Sequence, residues 1–423
     1  MNYNRGYTYK PRRRVNWLGV SILVLSVLLI ILLLVYLLVP KNEPIEEINY
    51  DTPVELNVKE NPVLYNEPTQ YPKKFYFDSG IDIPYPEDGV KGIYMSAYGY
   101  ASDQLRNTNL ALIENSNLNA MVIDVKDDWG TILFDFESDN PLILENTENV
   151  LHAKTVLKEL EEHQIYPIAR VVTFKDSSFA KKHPEHAFKN ADGSVWANHS
   201  GENFINPFSQ EVWDYTIAVA IEAAMAGFKE IQFDYIRFAE GFSFVEPGLT
   251  YDMGKYADID KPIDQLRVQV INDFIEYAKQ KLEPYNVHVG IDIFGYTATV
   301  PEDSDIGQNF AQMAERGDVV SSMIYPSHWG LSYFGYDAPD THPYGIVKEY
   351  MIQEKEILSA LPHPPITRPW LQDFTASYLG PGWYIDYGPT EVKAQVQALK
   401  ELGINEWLLW NAANVYSHVE GEY

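Results

Sequence analysis

The chain has 423 residues and not one cysteine. That absence excludes a disulfide framework, a thiolate nucleophile and any zinc or iron–sulfur centre held by cysteine. Basic residues are scarce as well: 32 Lys and Arg stand against 60 Asp and Glu, a formal charge of −28. A chain of that sign repels phosphate backbones instead of releasing their counterions, so general binding to nucleic acid is disfavoured. Glycine-rich phosphate cradles are missing too, so no cofactor is implied. Nothing repeats at a period that would build a solenoid.

What is present is globular. With 46% hydrophobic and 14% aromatic residues, the chain is long enough for one large domain or two ordinary ones. Its charge is unevenly placed. The first 39 residues hold Arg5, Lys10, Arg12, Arg13 and Arg14 and no acid, which leaves 27 basic against 60 acidic residues beyond them.

Leu18–Val39 is an uncharged run of 22 residues rich in Leu, Ile and Val. At about 1.5 Å per residue it reaches roughly 33 Å, enough for a bilayer core. Arg12, Arg13 and Arg14 before it predict a cytoplasmic N-terminus and an exported remainder, with Trp17 and Tyr36 at the two interfaces. A cleaved signal peptide competes with this reading, but the run exceeds a usual signal core and Leu-Val-Pro-Lys-Asn lacks a small-x-small cleavage site. The expected organisation is a basic tail (1–16), an anchor in the lipid bilayer (17–39), a proline- and acid-rich stalk (40–88) and one domain (89–423).

From Lys91 short apolar segments alternate with longer amphipathic ones. Strands are expected at Lys91–Ala97, Ala120–Asp124, Tyr166–Val172, Glu230–Ile236, Val287–Phe294, Asp318–Tyr325, Ile366–Gln372 and Glu406–Asn411. Helical period falls at Ser102–Ser116, Val150–His163, Ser209–Ala226, Pro262–Leu282, Ile306–Arg316, Gly345–Leu361 and Thr390–Leu402. Eight strands alternating with helices predict an α/β fold, the (β/α)8 TIM barrel, with a doubly wound sheet as rival. Too few residues follow the eighth strand for a closing helix, and the stalk end is a candidate substitute.

A barrel builds its site at the C-terminal strand ends. Side chains alternate along a strand, so Val122, Asp124 and Lys126 should share the inner face, as should Gln232 with Asp234, and His288 and Gly290 with Asp292. Asp124, Asp234 and Asp292 then converge on the upper interior, and Arg170 reaches the same space. Lys126, Arg170 and Arg237 offer partial neutralisation, which buried carboxylates require. A salt-bridge lattice holding the loops would use the same residues. Carboxylates on adjacent strands start about 5 Å apart, near the spacing of a retaining glycosidase. Sugar rings also need aromatic faces and hydrogen-bonding groups. Trp129, Tyr325, His328, Trp329, Trp370, Gln372, Asp373, Trp410 and Asn411 follow or end the strands and could supply them, with Asp127 beside Trp129.

Val122-Ile-Asp-Val-Lys-Asp-Asp-Trp-Gly130, Ile231-Gln-Phe-Asp-Tyr-Ile-Arg-Phe238, Met323-Ile-Tyr-Pro-Ser-His-Trp329 and Arg368-Pro-Trp-Leu-Gln-Asp-Phe374 resemble a glycoside hydrolase family first catalogued as a bacterial domain of unknown function. The resemblance covers about Gly89 to Tyr416. It implies a TIM barrel distantly similar to the alpha-amylase-like glycosidases; its bacterial character together with the anchor read above makes a bacterial cell membrane the expected location. In those relatives an aspartate ending strand 4 often serves as nucleophile or acid/base, which here is Asp234. They place a glutamate acid/base on strand 5 where this chain has Asp292, leaving Asp124 and Asp127 as rivals for that role.

The expected function is hydrolysis or transfer at a glycosidic bond of an extracellular or cell-wall polysaccharide, with Asp234 as nucleophile and Asp292 as acid/base. A non-catalytic carbohydrate-binding or wall-scaffolding barrel is the alternative. A metal-dependent deacetylase using His183, His186 and His199 is a third, disfavoured because their spacing does not put the rings on one face. Asp252, Asp258, Asp260 and Asp264 lack the order of a calcium loop. No metal is expected.

Overall fold

The computed structural model describes residues 75–417 and 423. The expected tail and anchor, and the stalk up to residue 74, lie outside the described residues. Among the described residues no helix is long and apolar enough to cross a membrane.

Eight parallel strands form the centre: β1 (Lys91–Met95), β2 (Ala120–Lys126), β3 (Tyr166–Val172), β4 (Glu230–Asp234), β5 (His288–Phe294), β6 (Val319–Met323), β7 (Trp370–Gln372) and β8 (Trp407–Trp410). Each pairs with the next in sequence. Strand β8 returns to β1 through Lys91–Trp407 and Ile93–Leu409. These eight strands therefore close on themselves, which a doubly wound sheet does not, and the fold is a (β/α)8 barrel.

Helices α1 (Asp103–Glu114), α2 (Ala153–Glu162), α3 (Gln210–Ala226), α4 (Ile263–Leu282), α5 (Phe310–Ala314), α6 (Pro343–Ser359) and α7 (Pro389–Glu401) surround it. Met121, Ile123, Ile231, Phe233, Val289 and Ile291 face them and are buried. Local chemistry sets the helix ends. The Ser209 hydroxyl accepts from the Val212 N–H at the start of α3, and Gly227 ends it at φ +123°. A Cβ at Gly227 would lie 2.4 Å from Ile81 Cγ1, so glycine is needed there twice over.

Three expected elements differ. Helix α5 shrinks to Phe310–Ala314 because Asp303 and Gln308 bridge each other through their backbones, spending groups that a longer helix would use. Val150–His152 is not the start of α2. It belongs to a strand (Thr147–His152) that pairs with Ile132–Asp135, and Ile132 in turn pairs antiparallel with Lys126. The seventh strand breaks at Arg368-Pro369, leaving Ile366–Thr367 separate, since proline has no N–H to pair.

The floor of the barrel is polar yet closed. Arg368 and Glu230 are both fully buried, and Arg368 Nη1 contacts the two Glu230 oxygens at 2.8 and 2.7 Å. Arg368 Nε donates to Glu406 at 2.8 Å, and the Tyr85 hydroxyl donates to the same carboxylate at 2.6 Å. Gly290 makes room, because a Cβ there would sit 2.8 Å from Glu230 Oε1. The stalk end, residues 77–85, crosses this floor. Phe77 N–H donates to the Pro284 carbonyl, Asp82 N–H to Glu161, and Lys229 Nζ to the Ile81 carbonyl. It does not take the place of an eighth helix, and among the described residues none follows β8. Tyr423 fills that gap, with its ring 5.7 Å from Trp407, its N–H on Asn117 and its carbonyl on Lys400.

Removing one partner of a buried ion pair strands the other charge. Arg368→Met should therefore cost about 3–5 kcal/mol in denaturant unfolding, and adding Glu230→Met should recover much of it. A double variant no more stable than the single one would contradict this account of the floor.

Candidate active site

At the opposite end β3 sends Arg170 into the barrel, 2% exposed and surrounded by acids. Its Nη1 donates to Asp124 at 2.7 Å, and its Nε and Nη2 to Asp234 Oδ2 at 2.9 and 2.6 Å. Nη2 also reaches Asp128 at 3.2 Å. Tyr94 donates to Asp124 at 2.5 Å. Burial nevertheless prevails over Arg170 and Tyr94 and pushes the Asp124 carboxyl up to about 6.

Asp234 ends β4. The next residue, Tyr235, has φ +49°, a left-handed conformation that is unfavourable for a bulky side chain. That turn brings the Tyr235 N–H to 2.6 Å from Asp234 Oδ1. Asp234 thus accepts three N–H groups, the pattern of an ionised carboxylate.

Asp292 lies on β5, one step beyond the Phe233–Ile291 pairing, so it stands beside Asp234. Its Oδ1 accepts from Trp370 Nε1 at 2.9 Å. Burial, and after it the charge of Asp234, hold the Asp292 carboxyl well above the usual carboxylate range, while the Trp370 hydrogen bond and Arg170 act the other way. The two neighbouring carboxyls therefore differ in surroundings: Asp234 accepts three N–H bonds, whereas burial beside the Asp234 carboxylate favours the protonated form of Asp292.

Both open on a cavity of about 190 Å³. Trp410, Trp370, Tyr325, Phe294 and Phe374 give it aromatic walls, and Arg237, His328 and Tyr235 reach it as well. Trp410 stacks on Tyr94 with centroids 4.1 Å apart, and Arg170 lies 5.5 Å from the Trp410 ring. Arg237 packs between Tyr235 and Phe294 and bonds Glu240 at 3.2 Å.

Of the residues expected here, Asp234, Asp292, Arg170, Arg237, Tyr325, His328, Trp370 and Trp410 line the cavity, and Asp124 lies behind Arg170. The others face elsewhere. The pairing of β2 with β3 slips between Asp124 and Lys126, and this bulge reverses the alternation. Lys126 consequently points outward, fully buried, to Asp176 at 2.8 Å and towards the Tyr215 ring of α3. Asp127 closes the turn by accepting from the Trp129 and Thr131 N–H groups. Trp129 is exposed on that turn, away from the cavity wall.

Trp329 is packed among Tyr333, Phe334 and Tyr350. Gln372 is consumed by Ser327 and Asp340, and Asp373 by Ser417. Asn411 bonds the carbonyls of Asp373 and Val415. Asp128, Tyr235, Phe294, Met323 and Phe374 also line the cavity and were not among the expected site residues. For Asp128 the available signal was Asp-Asp-Trp-Gly, in which one aspartate serves the turn and leaves its neighbour free. Among the described residues no three His, Asp or Glu side chains gather as a metal site. His183 pairs with Glu145, His186 with Ser209, and His199 is exposed.

A (β/α)8 barrel with adjacent carboxyls at its C-terminal mouth is an arrangement compatible with a glycosyl hydrolase. The chain belongs to the family described as "Putative glycosyl hydrolase domain", whose model matches residues 92–416. Curated protein sequences include no match. Among solved structures, a hypothetical protein from Ruminiclostridium thermocellum ATCC 27405 is 30% identical, over 47% of this chain and 96% of that one, with TM-score 0.41. The PgaB (BpsB) glycoside hydrolase domain from Bordetella bronchiseptica is 15% identical, over 77% and 94%, with TM-score 0.48. The glycoside hydrolase domain of a PelA variant from Pseudomonas aeruginosa is 10% identical, over 79% and 99%, with TM-score 0.43.

The raised Asp292 carboxyl links stability to pH. Unfolded, it ionises near pH 3.9; folded, it keeps its proton well above that, so stability falls as pH rises through this window. Asp292→Asn should remove the penalty, with a gain over wild type that grows by about 1.4 kcal/mol per pH unit. Urea unfolding at several pH values between about 4 and 7 measures it, and a pH-independent difference would contradict the assignment.

Proposed function

We propose that this protein is a membrane-anchored glycoside hydrolase or transglycosidase that acts on an extracellular or cell-wall polysaccharide with two carboxylates. The observation that carries this reading is the neighbouring pair Asp234 and Asp292, one accepting three N–H bonds and the other buried beside it with its carboxyl held well above the usual range. Family membership supports it. The volume supports a site for one ring-sized group, being below the roughly 300 Å³ at which drug-sized ligands are usually held. Aromatic walls suit the apolar faces of a sugar.

The steps follow from the atoms. Arg170 and the Tyr235 N–H occupy three lone-pair positions of Asp234 and leave one on Oδ1. That lone pair attacks the anomeric carbon while Asp292 passes its proton to the departing glycosidic oxygen, breaking the carbon–oxygen bond. Asp292, now a carboxylate, takes a proton from water or an acceptor hydroxyl. The resulting oxygen attacks the same carbon and releases Asp234. The lateral spacing of adjacent strands, about 5 Å, supports this retaining course over an inverting one, which needs about 6.5–9.5 Å. The anchor rests on the uncharged run Leu18–Val39 behind Arg12–Arg14.

On a glycan that the full chain turns over, Asp234→Asn is expected to lower kcat by at least about 10³-fold with binding intact. Near-normal turnover would overturn the reading, and intact binding without any turnover by wild type would favour a binding module. Activity should fall as pH rises through the elevated Asp292 pKa. Asp292→Asn should erase that alkaline limb and leave kcat about 10²–10⁴-fold lower. Deleting residues 1–39 should move the protein from the membrane to the soluble fraction; unchanged sedimentation would exclude the anchor.

A further inference from the structure

One carboxylate at the mouth has no task in these steps. Asp128 follows the turn acid Asp127, lines the cavity and keeps 46% of its side chain exposed. Its Oδ1 lies 3.2 Å from Arg170 Nη2 and 3.7 Å from Lys175 Nζ. Both contacts are longer than the roughly 2.7–2.9 Å of a good charge-assisted bond. Each cation also has a closer acid: Arg170 has Asp234 at 2.6 Å, and Lys175 has Glu202 at 2.8 Å. Neither cation therefore needs Asp128 for neutralisation. Burial works against its charge, but Arg170 and then Lys175 hold the carboxyl below the usual range. Its Oδ2 has no protein partner among the described residues.

An ionised carboxylate with an oxygen open to the cavity can only accept, so it recognises a donor. Position selects the donor. Arg170 Nη2 touches Asp128 Oδ1 and Asp234 Oδ2 alike, so the two carboxylates flank a single nitrogen. If Asp234 attacks the anomeric carbon, a carboxylate sharing that nitrogen is within reach of a substituent next to that carbon. Hydrogen bonds to the 2-hydroxyl strengthen as a glycoside approaches its oxocarbenium-like transition state.

We propose that Asp128 binds the donor on carbon 2 of the sugar ring attacked by Asp234, and so selects rings bearing a hydroxyl or amine there. The proposal rests on the reading of Asp234 as nucleophile. It makes Asp128 a specificity residue whose contact matters more in the transition state than in the ground state.

The test is a double-mutant cycle on the full chain. It uses whichever 4-nitrophenyl glycoside or defined oligosaccharide the protein hydrolyses, together with the 2-deoxy analogue. Wild type should lose roughly 100-fold or more in kcat/KM on the 2-deoxy substrate. Asp128→Asn, near-isosteric and half-exposed, should lose a similar factor on the parent substrate, mostly in kcat, and little further on the 2-deoxy one. Losses that simply multiply would overturn the role of Asp128 while leaving the hydrolase reading standing. No hydrolysis of any sugar by wild type would overturn the hydrolase reading and this proposal with it. Asp128→Glu, which keeps the charge, should restore discrimination against the 2-deoxy analogue; a variant that hydrolyses the parent and the analogue equally would also count against the proposal.

Discussion

A guanidinium shut inside the barrel governs its upper half. Arg170 could not remain charged there without acids, and Asp124 and Asp234 could not remain there without Arg170. Each separation would strand a charge in a poorly solvated space. The two largest departures from ideal strand geometry nearby both serve this arrangement. The bulge after Asp124 turns Lys126 out, so that no second cation competes for the same carboxylates. The left-handed Tyr235 adds a backbone donor on the side of Asp234 that Arg170 does not reach.

The floor solves a similar problem with a different outcome. Arg368 is surrounded by Glu230, Glu406 and Tyr85, and a glycine clears the space, so each group finds partners within the protein. At the mouth Arg170 leaves acceptors over: one position on Asp234 Oδ1 and all of Asp128 Oδ2. Both ends hold an arginine among carboxylates, but a saturated lattice stabilises while an unsaturated one can receive a ligand. Charge alone therefore does not mark the site; incomplete satisfaction does.

Periodicity carried most of the fold. Long amphipathic stretches such as Ser209–Ala226 and Pro262–Leu282 match α3 and α4 almost residue for residue, because caps and stops are written locally. The pair Ile132–Asp135 and Thr147–His152 was illegible: the first is only four residues long, and the second runs into Val150–His163, where helical period also fits. In the site, strict alternation placed Asp234 and Asp292 on one face, since β4 and β5 are regular. It failed for Lys126, where a one-residue slip in pairing leaves no mark in composition. Gln372, Asp373 and Asn411 sit at strand ends as a site residue would, yet loop contacts made by distant residues consume them. Such contacts are tertiary and cannot be read from spacing.

The closing seam has a consequence in time. Tyr85 and Glu406 meet across 321 residues, and Tyr423 reaches back to Asn117. Until the last strand has been made, β1 and β7 are open edges and the floor arginine lacks one of its acids. Contacts so remote in sequence form late and slowly, and unpaired edges invite association with other chains in the meantime. The barrel therefore stays vulnerable until β8 is in place and becomes self-contained only when its first and eighth strands have met.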